Sequence, residues 1–158
     1  MVGPIIPGAT TSVAANDRAK ELTVAEAMPF LTFQPSRGHT ATEAMTLYTG
    51  LFSDGAVLWE QRRPADAPEG AGTVEVAELV VAGLHVRCSD SHVEHAWDFT
   101  PAVALWVTCA SAEEQRGLVD ALAVGGAVFM PLDDYGFGPF AWVQDRFGIS
   151  WQLAGPSA

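Results

Sequence analysis

The sequence predicts an α+β fold: two tandem βαβββ units forming a curved, mostly antiparallel sheet with helices on its outer face. Three observations predict it. A capped helical stripe occurs twice, and a Gly-Ala-Val strand start follows each copy at the same offset. A Pro-containing apolar strand precedes each helix. Each half then closes with strands split by a turn.

The first unit is expected over 26–89. It opens with the strand "MPFLTF" at 28–33. "HTATEAMTLYTGLF" at 39–52 follows, with apolar residues at 41, 44, 45, 48, 51 and 52, a helical period. Thr40 and Glu43 form a capping-box pattern at its start, in which each side chain satisfies a free backbone N–H. "GAV" at 55–57 starts the next strand, and "PADAPEGAG" at 64–72 reads as a Pro/Gly loop. "TVEVAELVVAGLHVRCS" at 73–89 splits at Ala82-Gly83 into a hairpin.

The second unit is expected over 100–154, after a linker at 90–99. "TPAVALWVTC" at 100–109 is its first strand. In "SAEEQRGLVDALAVGG" Ser111 and Glu114 form the box, Leu118, Val119 and Leu122 the stripe, and Gly125-Gly126 the stop. The two boxes lie 71 residues apart (111 − 40), and so do the two "GAV" starts (126 − 55). "WVQDRFGISWQL" at 142–153 splits at Asp145-Arg146-Phe147-Gly148, where Gly148 supplies the positive φ of a turn. Residues 1–25 read as a flexible arm, without the basic start and apolar run of a secretory signal.

Composition narrows the function classes. At 158 residues the chain suffices for one integrated domain, here 26–154. A net charge of −11 argues against nucleic acid and anionic membranes, which need basic patches. Cys88 and Cys109 give neither a disulfide framework nor metal-ligand spacing, and suggest a reducing, cytoplasmic setting. There is no apolar run of about 18 residues. No G-x-S-x-G, P-loop or G-x-G-x-x-G motif occurs. The Gly-rich "GGAVFMPLDDYGFGPF" does not lead into a helix, so it is no phosphate cradle.

The stretches "PFLTF", "TEAMTLYTGLF", "WDFTPAVALWVTC" and "WVQDRFGISWQL", spanning roughly 27–153, resemble the vicinal oxygen chelate (glyoxalase/bleomycin resistance) superfamily. The resemblance is nearest to its PhnB-like, demethylubiquinone methyltransferase-like branch. It implies the paired βαβββ fold and a homodimer. In metal-dependent members, ligands on the first and last strands of each unit hold a divalent ion. Carried over to this chain, those positions fall near Met28, Arg87, Ala102 and at Gln152, where a Glu is usual. Only Gln152 donates, as a neutral amide, so no metal and no cofactor are expected.

Strand alternation selects a cavity lining. Trp106, Trp142, Gln144, Ser150 and Gln152 are expected to face it from the second unit, with Thr32, Trp59, His85 and Arg87 from the first. The ligand-binding candidates are Trp59, Arg87, Trp106, Trp142, Gln144, Ser150 and Gln152. Aromatic rings with a few amides suit a flat or amphipathic small molecule. The same tryptophans equally suit a closed core or a dimer interface, and for Arg87 a salt bridge to an acidic residue is the readier reading, beside anchoring an anionic ligand group through its fork. The linker "SDSHVEHAWD", with His92 and His95, reads as a solvated segment rather than a metal site. The leading expectation is a metal-independent small-molecule-binding homodimer. The alternative is a superfamily enzyme (lyase, isomerase, dioxygenase or transferase) with an atypical site, using His85 or Asp90 for acid–base work. A purely structural protein is the third reading.

Overall fold

A computed structural model describes residues 24–156, so most of the arm expected at 1–25 lies outside the described residues. The first unit runs β1 (Phe30–Phe33), α1 (Ala41–Leu51), β2 (Ala56–Arg62), β3 (Val74–Val81) and β4 (Leu84–Asp90). The second runs β5 (Ala104–Thr108), α2 (Ala112–Leu122), β6 (Ala127–Asp134), β7 (Pro139–Gln144) and β8 (Ser150–Ala154). Strand, helix and three strands thus recur as the sequence repeat requires. Hydrogen bonding divides the strands into two four-stranded sheets, ordered β1-β4-β3-β2 and β5-β8-β7-β6. The first-to-last strand pairs, β1–β4 and β5–β8, are parallel, and the remaining pairs are antiparallel.

Local chemistry sets the element ends. Thr40 Oγ1 accepts from the Glu43 N–H, and the Glu43 carboxylate accepts from the Thr40 N–H, so the first capping box is complete. The second is only half formed. Ser111 Oγ accepts from the Glu114 N–H, but the Glu114 carboxylate reaches back to the Ala110 N–H at 2.6 Å, one residue before the cap. Helix α2 stops at Leu122, before Gly125-Gly126, with Ala123 as its C-cap. Gly126 has a packing role instead: a Cβ there would collide with the Gln144 carbonyl. The two-residue turn Ala82-Gly83 holds both residues at positive φ, and the Asp54 carboxylate accepts from both of their N–H groups. Gly148 sits at φ 93°, as the hairpin requires.

Alternation along each strand buries one sheet face under a helix. Val86, Cys88, Ala77 and Leu79 meet α1, while Trp151, Leu153, Ala141 and Val143 form the matching face of the second sheet. These residues belong to one apolar cluster that spans both units. Tyr48 of α1 and Phe52, its C-cap, pack against Trp151 of β8, with ring centroids 5.2 and 5.8 Å apart. Phe33 of β1 meets Phe147 of the β7–β8 turn edge-on.

A buried carboxylate sits at this junction. Asp145 Oδ2 accepts from the Tyr48 hydroxyl at 2.7 Å and from Trp151 Nε1 at 2.9 Å. Its Oδ1 accepts from the N–H groups of Phe147 and Ile149. Burial raises the Asp145 carboxyl above the ordinary value of 3.8, against the downward pull of these four hydrogen bonds. A raised folded pKa means that the folded state binds the proton more readily. Asp145's contribution to stability is therefore greatest below about 3.8 and falls as pH rises through the folded value.

Asp145→Asn keeps the size but faces a donor toward donors. In urea unfolding the variant is expected to lose about 2–3 kcal/mol near neutral pH. The gap to the native protein should widen as pH falls from neutral through the raised folded value of Asp145. Equal stability of the two proteins above and below that value would contradict this role for Asp145.

Candidate functional site

The face of each sheet turned away from its helix carries the polar and aromatic candidates. On the second sheet, strand register places Trp106, Gln152 and Trp142 side by side across β5, β8 and β7. Ala104, Ser150 and Gln144 form the next row. Sequence alternation therefore chose the correct face for all five second-unit candidates.

Their side chains differ in what they have left to offer. Ser150 is 1% exposed, and its Oγ accepts from Trp142 Nε1 at 2.7 Å. Gln144 Nε2 donates to the Gly148 carbonyl at 3.1 Å, closing the β7–β8 turn. Ser150 and Gln144 therefore hold the framework. Gln152 is half-buried and makes no side-chain hydrogen bond among the described residues, so both ends of its amide remain available. Trp106 is 58% exposed, and its Nε1 donates to Thr108 Oγ1 within its own strand.

Beside Trp106 lies a cavity of about 450 Å³, bordered by Trp106, Thr108, Phe137 and Ala154. Phe137, 68% exposed, was not among the sequence candidates. It sits in the β6–β7 connection, where Gly136 and Gly138 both take positive φ. The aromatic residues inside that Gly-rich run were the signal for it. A second cavity of about 500 Å³ runs between the edge strands β1 and β5, walled by Phe30, Phe99, Val103 and Ile149. Of the seven ligand-binding candidates only Ser150 borders it.

On the first sheet the candidates converge on a residue that sequence reading missed. Glu78 of β3 is fully buried on the face opposite α1. Its Oε1 lies 2.9 Å from His85 Nδ1. Its Oε2 accepts from Trp59 Nε1 at 3.2 Å and from Arg87 Nε at 3.3 Å. Arg87 also lies over the Trp59 ring, 5.5 Å from its centroid. Thr32 faces Ser89 across β1–β4 and stands outside this cluster. Glu78 was missed because "TVEVAELVV" reads only as strand. Within the chain the two groups stay apart: no hydrogen bond or ring contact among the described residues joins Trp59 and Arg87 to the second-sheet row.

The linker acids and histidines are dispersed. His95 meets Ser91 Oγ and stacks on Trp97, His92 faces Glu69, and Asp98 pairs with Arg37. Asp90, a sequence candidate for acid–base work, is the last residue of β4 and has both oxygens occupied by backbone. Oδ1 accepts from the Ala41 N–H at 2.7 Å and Oδ2 from the Val74 N–H at 2.9 Å.

The ligand positions of a metal-dependent relative do not fit here. Met28 and Ala102 precede β1 and β5, and register instead puts Phe30 beside Arg87 and Trp106 beside Gln152. That corrects the residues but leaves the chemistry unchanged, because neither ring is a ligand. Arg87 and Gln152 also lie on separate sheets. The described residues contain no group of three or more His, Cys, Asp or Glu placed to hold an ion. Gln152→Glu alone is therefore expected to create no stoichiometric Zn or Mn site by isothermal titration. Tight uptake by that variant would contradict the register.

The family model described as 3-demethylubiquinone-9 3-methyltransferase matches residues 25–154. The PhnB protein from Bacillus cereus is 38% identical, over 83% of this chain and 99% of that one, with a TM-score of 0.76. Protein PA1353 from Pseudomonas aeruginosa is 26% identical, over 85% and 100%, with a TM-score of 0.68. The fosfomycin resistance protein FosX from Listeria monocytogenes shares the fold at 10% identity, over 84% and 94%, with a TM-score of 0.58. No curated protein matches the chain. The chain belongs to the 3-demethylubiquinone-9 3-methyltransferase family, with a PhnB protein among its relatives.

Proposed function

We propose that the protein binds a flat, amphipathic small molecule without a metal, and does so as a homodimer. The observation that carries this reading is the row Trp106–Gln152–Trp142 on an open sheet face. Two indoles flank an amide that no described residue engages. Rings supply apolar contact area, and a half-buried amide with both ends available supplies orientation. The cavity beside Trp106 gives a small molecule room at the end of this row.

The family name raises methyl transfer, and the residues present do not fit a methyl donor's phosphate-cradle-like turn. The connection from β1 to α1 carries one glycine, Gly38. The first free N–H groups of α1 are taken by the Asp90 carboxylate and by Thr40 Oγ1. Gly125 and Gly126 abut the β7–β8 turn.

Dimerisation is supported by what both open faces leave uncovered. Phe30 and Leu58 on the first sheet, and Trp106 and Phe129 on the second, are all more than one-third exposed. Apolar area of this kind on a folded monomer marks an interaction surface. A second copy is the proposed cover, and it would wall the open cavity. Nucleic acid and anionic membranes are disfavoured partners at a net charge of −11.

Sedimentation equilibrium should then give twice the 16.7 kDa chain mass. The neutral fluorescent probe phenylnaphthylamine should bind saturably and indifferently to EDTA. Trp106→Ala should weaken it about tenfold, the loss expected for one buried ring contact. Loss of binding on chelation, or no saturable binding by the native protein, would contradict the proposal.

A further inference from the structure

The geometry points to a carboxylate-binding site on the open face of the first sheet, built by Arg87 and His85 and suited to a planar aromatic acid. This inference rests on the small-molecule reading above and names a ligand class for the other sheet. Glu78 is the positioning residue. Its carboxylate is fully buried and touches three side chains that reach the open face: Trp59, His85 and Arg87. His85 Nδ1 lies 2.9 Å from Glu78 Oε1. Its Nε2 faces away from Glu78 and meets no described residue.

Arg87 is held in an unusual way for a structural ion pair. A guanidinium that only neutralises a carboxylate commonly uses its fork, with two parallel N–H···O bonds. Here Glu78 takes only the Nε edge, at 3.3 Å. The two terminal nitrogens have no partner among the described residues, and the side chain is 42% exposed. The Trp59 ring lies on one side of the group, its centroid 5.5 Å from Cζ. An arginine held at Nε with a ring on one side presents its remaining fork ready-oriented, the geometry that grips a carboxylate bidentately. His85, two residues along β4 on the same face, adds a second polar group beside the fork.

The walls select the rest of the ligand. Phe30, across β1 from Arg87, is 54% exposed, and the Trp59 ring borders the fork from β2. Two aromatic side chains on either side of a cation favour a flat ring carrying the anion. The chain's overall acidity acts at long range and is screened over about 8–10 Å in physiological salt, so it does not prevent a contact bond at the fork.

The test uses the full chain and benzoate, with benzamide as its neutral counterpart of the same shape. Benzoate should shift the Trp59 indole N–H signal saturably in proton–nitrogen correlation spectra, and benzamide should shift it about tenfold more weakly or not at all. Arg87→Met should remove the benzoate response, and Arg87→Lys should recover only part of it because it lacks the fork. Equal responses to benzoate and benzamide overturn the site, and this comparison needs no variant. So does an Arg87→Met protein that folds and still binds benzoate like the native one. If benzoate fails while phenylnaphthylamine still binds at Trp106, the carboxylate site falls and the binding reading stands. If both probes fail on the native protein, both fall.

Discussion

Asp145 accepts four hydrogen bonds where the two units meet. Two come from the backbone of its own turn, one from Trp151 on the strand that follows, and one from Tyr48, 97 residues earlier on α1. A buried carboxylate without partners would cost several kcal/mol, so these donors are a condition of the fold. Their geometry has a consequence for function. Tying α1 to β8 turns the helix-covered faces of both sheets into one core. The opposite faces are thereby left open, and both groups of candidate residues lie on them. Asp90 plays the matching part within the first unit, joining the end of β4 to the starts of α1 and β3.

Much of this architecture was legible in the sequence because it is periodic. A helical stripe, a strand alternation and a fixed offset of 71 residues each repeat a local rule. The face assignment of Trp106, Trp142, Gln144, Ser150 and Gln152 followed from alternation alone. Contacts between strands were less legible. Glu78 was not singled out, because nothing local shows that Trp59, His85 and Arg87 arrive around it from two other strands. Asp145 looked like an ordinary turn residue, because Tyr48 is remote in sequence. Met28 and Ala102 were misplaced by two and four residues against Phe30 and Trp106. Pro-containing lead-ins at Pro29 and Pro101 resemble strand but precede β1 and β5; Pro29 has no N–H to give and joins β4 only through its carbonyl, which accepts from the Arg87 N–H at 2.9 Å.

The two open faces divide the chemistry. The second sheet offers indoles around one available amide, with the exposed Phe137 at its end. The first offers a cation and an imidazole organised by a buried acid. At the positions where metal-dependent relatives place ligands, this chain carries Arg87 and Gln152, with Phe30 and Trp106 beside them. A cation and two rings there supply contact area and the fork on which the proposed organic binding rests.

Native mass spectrometry of the undialysed protein, paired with elemental analysis, tests the proposed metal-independent binding most directly. The account predicts a dimer that carries a small organic adduct released on denaturation, with no stoichiometric transition metal. A protein that instead retains one divalent metal per chain, and no organic adduct, would contradict it.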